Sequence, residues 1–140
     1  DIPVEVCRQY LGEDSIVGLS ARMHELFDYI QTVDIRHIDY FGVGPLHETK
    51  TKPDCGIDTK GNIITRSFEE IARIAKLSPL PVVVGGGVKL DDLALLAKTG
   101  VDGFFVVTAV SEADNPKLAA AQLVQEWMQE IYHNEPRKNE

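Results

Sequence analysis

The side chains best suited to ligand chemistry fall in one loop, the segment Thr49-Lys50-Thr51-Lys52, called here the threonine–lysine loop. Hydroxyl groups alternate there with ammonium groups, and this combination suits a phosphate or a pyrophosphate group. A second stretch, the triglycine turn Gly85-Gly86-Gly87, offers backbone N–H groups to the same kind of anion. Each stretch also has a purely structural interpretation, because lysines often solvate a loop and glycines often allow a strand and a helix to pack closely.

Both stretches follow apolar segments that predict buried strands. Gly44-Pro45 ends the first of these strands, because proline lacks a backbone donor and glycine tolerates strained dihedral angles. Two further apolar segments end at Ser20 and just before Thr108, so polar groups follow them as well. The four predicted strands are Ile16–Ser20, Asp39–Val43, Pro81–Val84 and Gly103–Val107.

Helical patterns fill the segments around these strands. Ser67 and Glu70 form a capping-box pattern, and Asn115-Pro116 is a typical helix start. Gly12 and Gly100 follow predicted helix ends. Phe68, Ile71 and Ala75 are expected to face inward, and Trp127 and Met128 to lie in the core or in an interface. The other apolar sets at helical spacing are Val4, Cys7 and Leu11; Met23, Leu26, Phe27 and Ile30; Leu90, Leu93 and Ala97; and Val124, Trp127, Met128 and Ile131.

The chain therefore contains about four consecutive strand-helix units, and this alternation predicts an α/β fold with parallel strands and right-handed crossovers. Ligands of such folds bind at the carboxyl ends of the strands. Ser20, the threonine–lysine loop, the triglycine turn and Val107-Thr108 all fall at those ends. A (β/α)8 barrel needs roughly 250 residues, or about 200 when compact, so this chain of 140 residues is expected to supply about half of one.

Composition argues against several classes of function. With 44% hydrophobic residues, the chain can build one domain with a core. Its net charge of -8 disfavours broad binding to nucleic acid or anionic membranes. The two cysteines lack a C-x-x-C spacing, so neither a zinc site nor a disulfide framework is indicated, and a cytoplasmic location is expected. No apolar run approaches the roughly 20 residues that span a bilayer.

Several motifs at the predicted strand ends resemble those of one enzyme family. They are Gly18-Leu19-Ser20 (G-x-S), Asp39 to Pro45 (D-Y-x-G-x-G-P), Thr49-Lys50-Thr51-Lys52 (T-x-T-K), Gly86-Gly87-Val88 (G-G-I), Gly100-Val101-Asp102-Gly103 (G-A-D-G) and Val107-Thr108-Ala109-Val110 (S-A-I). Together they resemble thiamine phosphate synthase, a (β/α)8 enzyme, over nearly the whole chain. T-x-T-K is the most specific motif, because a related thiazole isomerase is expected to lack it. The resemblance implies the C-terminal half of a TIM barrel.

The resemblance also implies an activity and roles for individual residues. The family joins hydroxymethylpyrimidine pyrophosphate to thiazole phosphate and releases pyrophosphate, through a pyrimidine-methyl cation that the thiazole nitrogen captures. It implies Ser20 and Lys52 as the catalytic residues, with Ser20 on the pyrimidine substrate and Lys52 on its pyrophosphate. The groups implied for the thiazole phosphate are Thr49, Lys50, Thr51, Gly87 and the backbone of Val107 and Thr108. Mg2+ is the implied cofactor, since it would neutralise the leaving group.

The resemblance leaves part of the family's site without a counterpart in this chain. The family's pyrimidine-recognition residues, an Asn for the pyrophosphate and both Asp ligands of Mg2+ lie in its N-terminal half, so no metal ligand is assigned here. We expect residues 1–132 to form the half-barrel and residues 133–140 a polar tail. The chain alone is expected to be inactive, and its partners are expected to be the missing N-terminal half or further copies of itself.

Two other functions remain open from the sequence. One is a thiazole tautomerase-like barrel, and the other is a non-catalytic phosphate-binding half-barrel that self-associates through its open sheet edges. Ser20 has an alternative role as the cap of a following helix. Four histidines lack a paired acid or nucleophile at a suggestive spacing, and surface or packing roles are expected for them: His24, His37, His47 and His133.

Overall fold

The computed structural model describes residues 2–20, 26–50, 56–58 and 60–134. Within these residues, helices and strands alternate along the chain. They are α1 (Val4–Leu11), β1 (Gly18–Ser20), α2 (Leu26–Thr32), β2 (Tyr40–Val43), α3 (Phe68–Leu77), β3 (Val82–Val84), α4 (Leu93–Lys98), β4 (Gly103–Phe104), α5 (Thr108–Ser111) and α6 (Pro116–Asn134). Short 3-10 turns at Ile35–His37 and Leu90–Asp92 precede β2 and α4.

The strands form one parallel sheet in the order β1-β2-β3-β4. Gly18 pairs with Tyr40, Phe41 with Val82, and Val84 with Phe104, so each strand is hydrogen-bonded to the next strand in the sequence. Sequential parallel neighbours require a crossover on each step, and α2, α3 and α4 lie in these crossovers. The predicted α/β fold of consecutive strand-helix units with parallel strands is confirmed.

One face of the sheet packs against the helices and forms the core. Fully buried side chains on this face include Phe41, Val82 and Val84. They contact a shell of helical residues, of which Ile71, Ile74, Leu93, Leu96 and Leu123 are buried. Each such side chain contributes about 1.5–3 kcal/mol through burial. Most of the core therefore lies between the sheet and α3, α4 and α6.

The opposite face of the sheet carries large side chains over glycines. A methyl group added at Gly18 would collide with the ring of Tyr40, and one added at Gly85 would collide with the ring of Phe105. Phe105 is 49% exposed although it lies against the sheet. This face, called here the open face, thus has apolar side chains that no helix among the described residues covers.

Two predicted helix starts are confirmed by hydrogen bonds. The Ser67 hydroxyl accepts from the Glu70 N–H at 3.2 Å, and the Glu70 carboxylate accepts from the Ser67 N–H at 3.0 Å, which completes the capping box of α3. The Asn115 side chain accepts from the Leu118 N–H at 3.0 Å and caps α6. Each bond satisfies an N–H group that has no partner inside its own helix.

The amino ends of the strands are joined by a bonding pattern that occurs twice. The Asp39 N–H donates to the Val17 carbonyl and the Asp39 carboxylate accepts from the Val17 N–H, both at 2.7 Å. Asp102 makes the same two bonds with Val82, at 2.9 and 2.8 Å. Arg8 is buried and adds a 2.8 Å ion pair to Asp39. Side-chain carboxylates therefore fix the register where two strand pairs begin.

The last strand is shorter than predicted. β4 ends at Phe104, and the Phe105 N–H makes one further bond to the Val84 carbonyl at 2.9 Å. The predicted continuation to Val107 is wrong, because Val107 is the N-cap of the short helix α5 and is 53% exposed. On its far side, β4 has no neighbouring strand among the described residues that would extend the ladder.

The apolar stripe predicted on α6 is not the face that the structure buries. Leu123 is the buried residue of this helix, and Trp127 packs edge-on against Phe104 with ring centroids 5.3 Å apart. Val124 and Met128, which belong to the predicted stripe, are 61% and 59% exposed. The prediction that the helix includes Leu90 is wrong, because Leu90 lies in the 3-10 turn that precedes α4 and is 40% exposed. α6 continues through Asn134, and the division into residues 1–132 and 133–140 stays a prediction.

Candidate functional site

The loops that follow β2 and β3 meet at the carboxyl ends of the strands, called here the carboxyl-end rim. The Gly85 N–H donates to the Val43 carbonyl at 2.9 Å, and the Gly85 carbonyl accepts from the Leu46 N–H at 3.1 Å. The His47 N–H then donates to the Gly86 carbonyl at 2.9 Å. The backbone that leads into the threonine–lysine loop is therefore bonded directly to the triglycine turn.

The triglycine turn has a backbone conformation that side chains would disturb. Gly86 and Gly87 have φ angles of +81° and +74°, in the left-handed region that favours glycine. A Cβ on Gly86 would lie 2.5 Å from the Cβ of Pro45, and one on Gly87 would lie 2.9 Å from the Cβ of His47. The turn therefore depends on glycine at both positions and offers backbone, not side chains, to a ligand.

The threonine–lysine loop is described as far as Lys50. Thr49 is half-buried and Lys50 is exposed. Both line an open cavity of about 370 Å³, together with Glu48 and Ile63. This volume is in the range of small-molecule sites, and its lining offers a hydroxyl, an ammonium, a carboxylate and an apolar wall. Thr51 and Lys52, the other two predicted ligand residues, lie outside the described residues.

A turn that sequence reasoning did not interpret brings Ile63 to this cavity. Ile57 and Ile63 face each other in an isolated antiparallel bridge. Between them, the Asp58 carboxylate accepts from the N–H groups of Lys60 and Asn62, both at 2.8 Å, and from the Asn62 side-chain amide at 2.9 Å. These bonds, led by the one from the Asn62 side chain, lower the pKa of Asp58 below its usual value. The turn is thus closed by one ionised carboxylate.

Arg66 is a buried residue that contacts the carboxyl-end rim. Its side chain is 5% exposed, its N–H donates to the Pro45 carbonyl at 2.8 Å, and its guanidinium lies 3.3 Å from the Glu70 carboxylate. Burial lowers the pKa of Arg66, and the attraction of Glu70 partly offsets this effect. The start of α3 is thereby tied to the turn that follows β2.

Ser20 lies at the same rim but at a distance from the triglycine turn. It ends β1 and is exposed, and its register partner on β2 is Gly42. A Cβ on Gly42 would lie 2.9 Å from the Ser20 hydroxyl oxygen, so this hydroxyl projects over the open face. One strand, β2, separates it from β3 and its glycines. The structure therefore brings Ser20 to the rim, at the edge away from Gly87.

Val107 and Thr108 lie on the other side of the triglycine turn, after β4. Val107 caps the four-residue helix α5, which begins at Thr108. The first N–H groups of any helix have no partner within it. A cavity of about 170 Å³ lies between α5, α6 and the segment after the triglycine turn, and its lining residues are Lys89, Leu90, Ala109, Ala119, Gln122 and Leu123.

The structure also pairs a histidine that the sequence left without a partner. His47 Nε2 lies 2.8 Å from Asp92 Oδ1, and the other Asp92 oxygen accepts from the Lys89 N–H at 2.8 Å. The sequence spacing indicated no partner for His47, and the structure gives it one. His47 and Asp92 are 45 residues apart in the chain, and a pairing at that separation leaves no local pattern in the sequence.

Magnesium has no set of ligands among the residues that the structure describes. No group of three or more histidine, cysteine, aspartate or glutamate side chains is arranged there to hold a metal ion. The described carboxylates therefore do not fit an Mg2+ site by themselves. In the same part of the chain, no helix is both long enough and apolar enough to cross a membrane.

Comparison with known sequences identifies relatives of this chain. A family model described as "TMP-TENI: Thiamine monophosphate synthase" matches residues 1–110. A thiamine-phosphate synthase of Methanobrevibacter smithii is 35% identical over 127 residues, which cover 91% of this chain and 56% of the relative. One from Corynebacterium efficiens is 37% identical over 124 residues, which cover 89% of this chain and 54% of the relative. The chain thus spans about half the length of these curated relatives.

Solved structures agree with these sequence relatives. A thiamine phosphate pyrophosphorylase from Pyrococcus furiosus superposes with a TM-score of 0.68 and 26% identity, over 94% of this chain and 57% of that structure. A 3-hexulose-6-phosphate synthase from Salmonella typhimurium has a TM-score of 0.61 at 17% identity, over 90% of this chain and 55% of that structure, which shows a shared fold alone. With its family match over residues 1–110, this chain belongs to the thiamine monophosphate synthase family.

Proposed function

We propose that this chain supplies the thiazole-phosphate side of a thiamine phosphate synthase. The reaction joins hydroxymethylpyrimidine pyrophosphate to thiazole phosphate. The bond between the pyrimidine methylene carbon and the pyrophosphate oxygen breaks, pyrophosphate leaves with the electron pair, and the thiazole nitrogen forms the new bond to carbon. Such chemistry requires stabilisation of a leaving anion and orientation of the nucleophile, not a strong base. Membership of the family supports this proposal.

The observation that carries the proposal is the direct bonding of the triglycine turn to the backbone that leads into the threonine–lysine loop. The bond from the His47 N–H to the Gly86 carbonyl measures 2.9 Å, and Thr49 follows His47 by two residues. A phosphate held by the triglycine turn would therefore lie close to hydroxyl and ammonium donors of the threonine–lysine loop. Charge-assisted bonds of this kind are stronger than bonds between neutral groups.

We assign the individual roles as follows from the family resemblance. Thr49, Lys50, Thr51 and Gly87, with the backbone of Val107 and Thr108, hold the thiazole phosphate. Lys52 contacts the pyrophosphate of the other substrate, and Ser20 contacts its pyrimidine. The exposed position of Ser20, across β2 from the triglycine turn, is consistent with two separate substrate groups along one rim.

We further propose that the activity needs a second polypeptide segment. Strands β1 and β4 are the edges of the sheet, and the open face carries Tyr40 and Phe105 without a covering helix among the described residues. Unpaired strand edges favour association. The partner in our proposal is an N-terminal half-barrel or another copy of the chain, in a cytoplasmic setting. Residues 1–140 alone then bind thiazole phosphate but do not form thiamine phosphate.

Calorimetric titration with thiazole phosphate tests the proposal. We expect binding by the wild-type chain, weaker binding by Thr51→Ala and Lys52→Ala, and unchanged binding by Lys117→Ala, an exposed lysine at the start of α6. Turnover assays with both substrates should show product only after an N-terminal half-barrel from a relative is added. Binding that is indifferent to both loop substitutions, or turnover by the chain alone, would contradict the proposal.

A further inference from the structure

His47 makes contact with the triglycine turn at three points. Its N–H donates to the Gly86 carbonyl at 2.9 Å. Its Cβ and its carbonyl oxygen lie 2.9 and 3.2 Å from the position that a Cβ on Gly87 would occupy. Its ring reaches Asp92 at 2.8 Å. This one residue therefore touches both the glycines and the segment that follows them.

Asp92 uses both of its carboxylate oxygens to hold the two loops together. Oδ1 lies 2.8 Å from His47 Nε2, and Oδ2 accepts from the Lys89 N–H at 2.8 Å. The Asp92 side chain is 14% exposed, whereas that of His47 is 43% exposed. Asp92 is thus anchored on the loop after β3, and His47 reaches it from the loop after β2.

The hydrogen bond fixes which nitrogen of His47 carries a proton. An ionised carboxylate only accepts hydrogen bonds, so Nε2 must be the donor. Because Nε2 is engaged by Asp92, the ring of His47 is held against the segment that follows the triglycine turn. This arrangement favours a role in positioning over direct contact with a phosphate.

From these contacts we propose that His47 and Asp92 form a positioning pair, which holds Gly86 and Gly87 at the orientation that binds an anion. The inference rests on the proposed function, because it concerns the same phosphate subsite. A partly exposed side-chain pair of this kind contributes little to global stability. The loss of this pair should therefore appear in anion affinity and in the environment of the glycine amides, and much less in unfolding.

The test is a titration of the ¹⁵N-labelled chain with inorganic phosphate, followed through the amide signals of Gly86 and Gly87. His47→Leu and Asp92→Asn should each shift these signals before phosphate is added and weaken phosphate binding about tenfold, the effect of losing one charge-assisted hydrogen bond. His47→Gln retains a side-chain donor and should recover part of the affinity. The matched control is Asp34→Asn, which breaks an exposed pair with Arg36 beside β2 at the other end of the sheet.

The outcomes separate this inference from the proposed function. If Gly87→Ala weakens phosphate binding but His47→Leu and Asp92→Asn do not, the positioning role is wrong and the phosphate site stands. If none of the three variants changes phosphate binding, or if the wild-type chain binds no phosphate, both proposals fail. If His47→Leu lowers the unfolding midpoint but leaves the amide signals of Gly86 and Gly87 unchanged, the pair only stabilises the fold. That result would overturn the inference.

Discussion

The two ends of the sheet are built from different chemical groups. At the amino ends, Asp39 and Asp102 bind the backbone of the neighbouring strand through their carboxylates, and the buried Arg8 adds an ion pair to the partly exposed Asp39. At the carboxyl ends, the loops bond mostly through backbone, as in the contact between His47 and Gly86, and the His47–Asp92 pair adds one side-chain contact. Carboxylates thus join the strands at one end, while the loop after β2 at the other end leads from its backbone bonds with the triglycine turn to an open cavity.

This difference indicates a division between stability and ligand binding. The amino-end carboxylates are occupied by backbone donors and by Arg8, so they have little capacity left for a ligand. The carboxyl-end rim instead has two consecutive left-handed glycines, Gly86 and Gly87, packed against Pro45 and His47, and these cost conformational freedom and contribute no side-chain contacts. In parallel α/β folds, binding residues belong at the carboxyl ends of strands, and the two ends of this sheet agree with that rule.

The largest effect on stability is expected from Arg8→Leu. Arg8 is 6% exposed and donates to the Gly12 carbonyl at 3.1 Å, to the Ser15 carbonyl at 2.6 Å and to the Asp39 carboxylate at 2.8 Å. Its loss leaves several acceptors without a donor, and we expect about 3 kcal/mol less free energy of unfolding in a urea titration. Arg36→Leu, which removes an exposed cation, is the control and should change little. Equal losses in both variants would refute the amino-end assignment.

The next prediction compares one glycine at the carboxyl end of the sheet with one at the amino end. Gly87 has a φ angle of +74° and lies against His47, whereas Gly100 has a φ angle of +83° with nothing within 4 Å of an added Cβ. Gly87→Ala and Gly100→Ala should each cost about 1–2 kcal/mol of stability through backbone strain. Only Gly87→Ala should also reduce phosphate affinity, by about tenfold or more, because it displaces the loop that carries His47. Phosphate titration and urea unfolding of both variants measure the two effects separately, and an equal loss of affinity at Gly100 would contradict the division.

The sequence predicted the elements whose signals are local. The Ser67 capping box and the Asn115 cap specify helix starts through residues only three positions apart, and both formed as predicted. The strand ends that carry Ser20 and the triglycine turn were also found correctly, because an abrupt change from apolar to polar or glycine residues marks them.

Features decided by distant contacts were not predictable in this way. In α6, the adjacent residues Leu123 and Val124 both fit an apolar stripe, and packing against α4 decides that Leu123 is buried. The end of β4 depends on the lack of a further strand beside it among the described residues. The His47–Asp92 pair joins two loops that follow different strands, so its existence requires the folded sheet.

A smaller effect concerns acid unfolding at the amino ends. The bond from the Val17 N–H and the ion pair with Arg8 hold the pKa of Asp39 below its usual value of 3.8. The unfolded chain therefore binds this proton at a higher pH than the folded chain does. Asp39 stabilises the fold above pH 3.8, and this contribution is lost as the pH falls through the lowered pKa.

In the Asp39→Asn variant, the free energy of unfolding should therefore fall less steeply as the pH is lowered. Thermal unfolding between pH 2 and 6, a range of about two units on either side of the ordinary Asp pKa, compares the variant with the wild type. We expect a lower midpoint for the variant near pH 6 and a smaller difference at the acid end. Asp14→Asn, at an exposed position in the turn after α1, is the control. A constant difference across the range would assign the effect to lost packing instead of lost charge.

The smallest effect is expected from Lys50→Ala at the carboxyl-end rim. Lys50 is exposed and lines the larger cavity, so its charge attracts an anion through water. We expect phosphate affinity to fall by about two- to fivefold at low salt, and the difference to shrink at about 1 M salt, where the screening length is only about 3 Å. Lys60→Ala removes an equally exposed charge from the turn beside the cavity without removing a lining residue. If Lys60→Ala weakens phosphate binding as much as Lys50→Ala does, the attraction comes from overall charge. That result would contradict a specific role for Lys50 in phosphate binding.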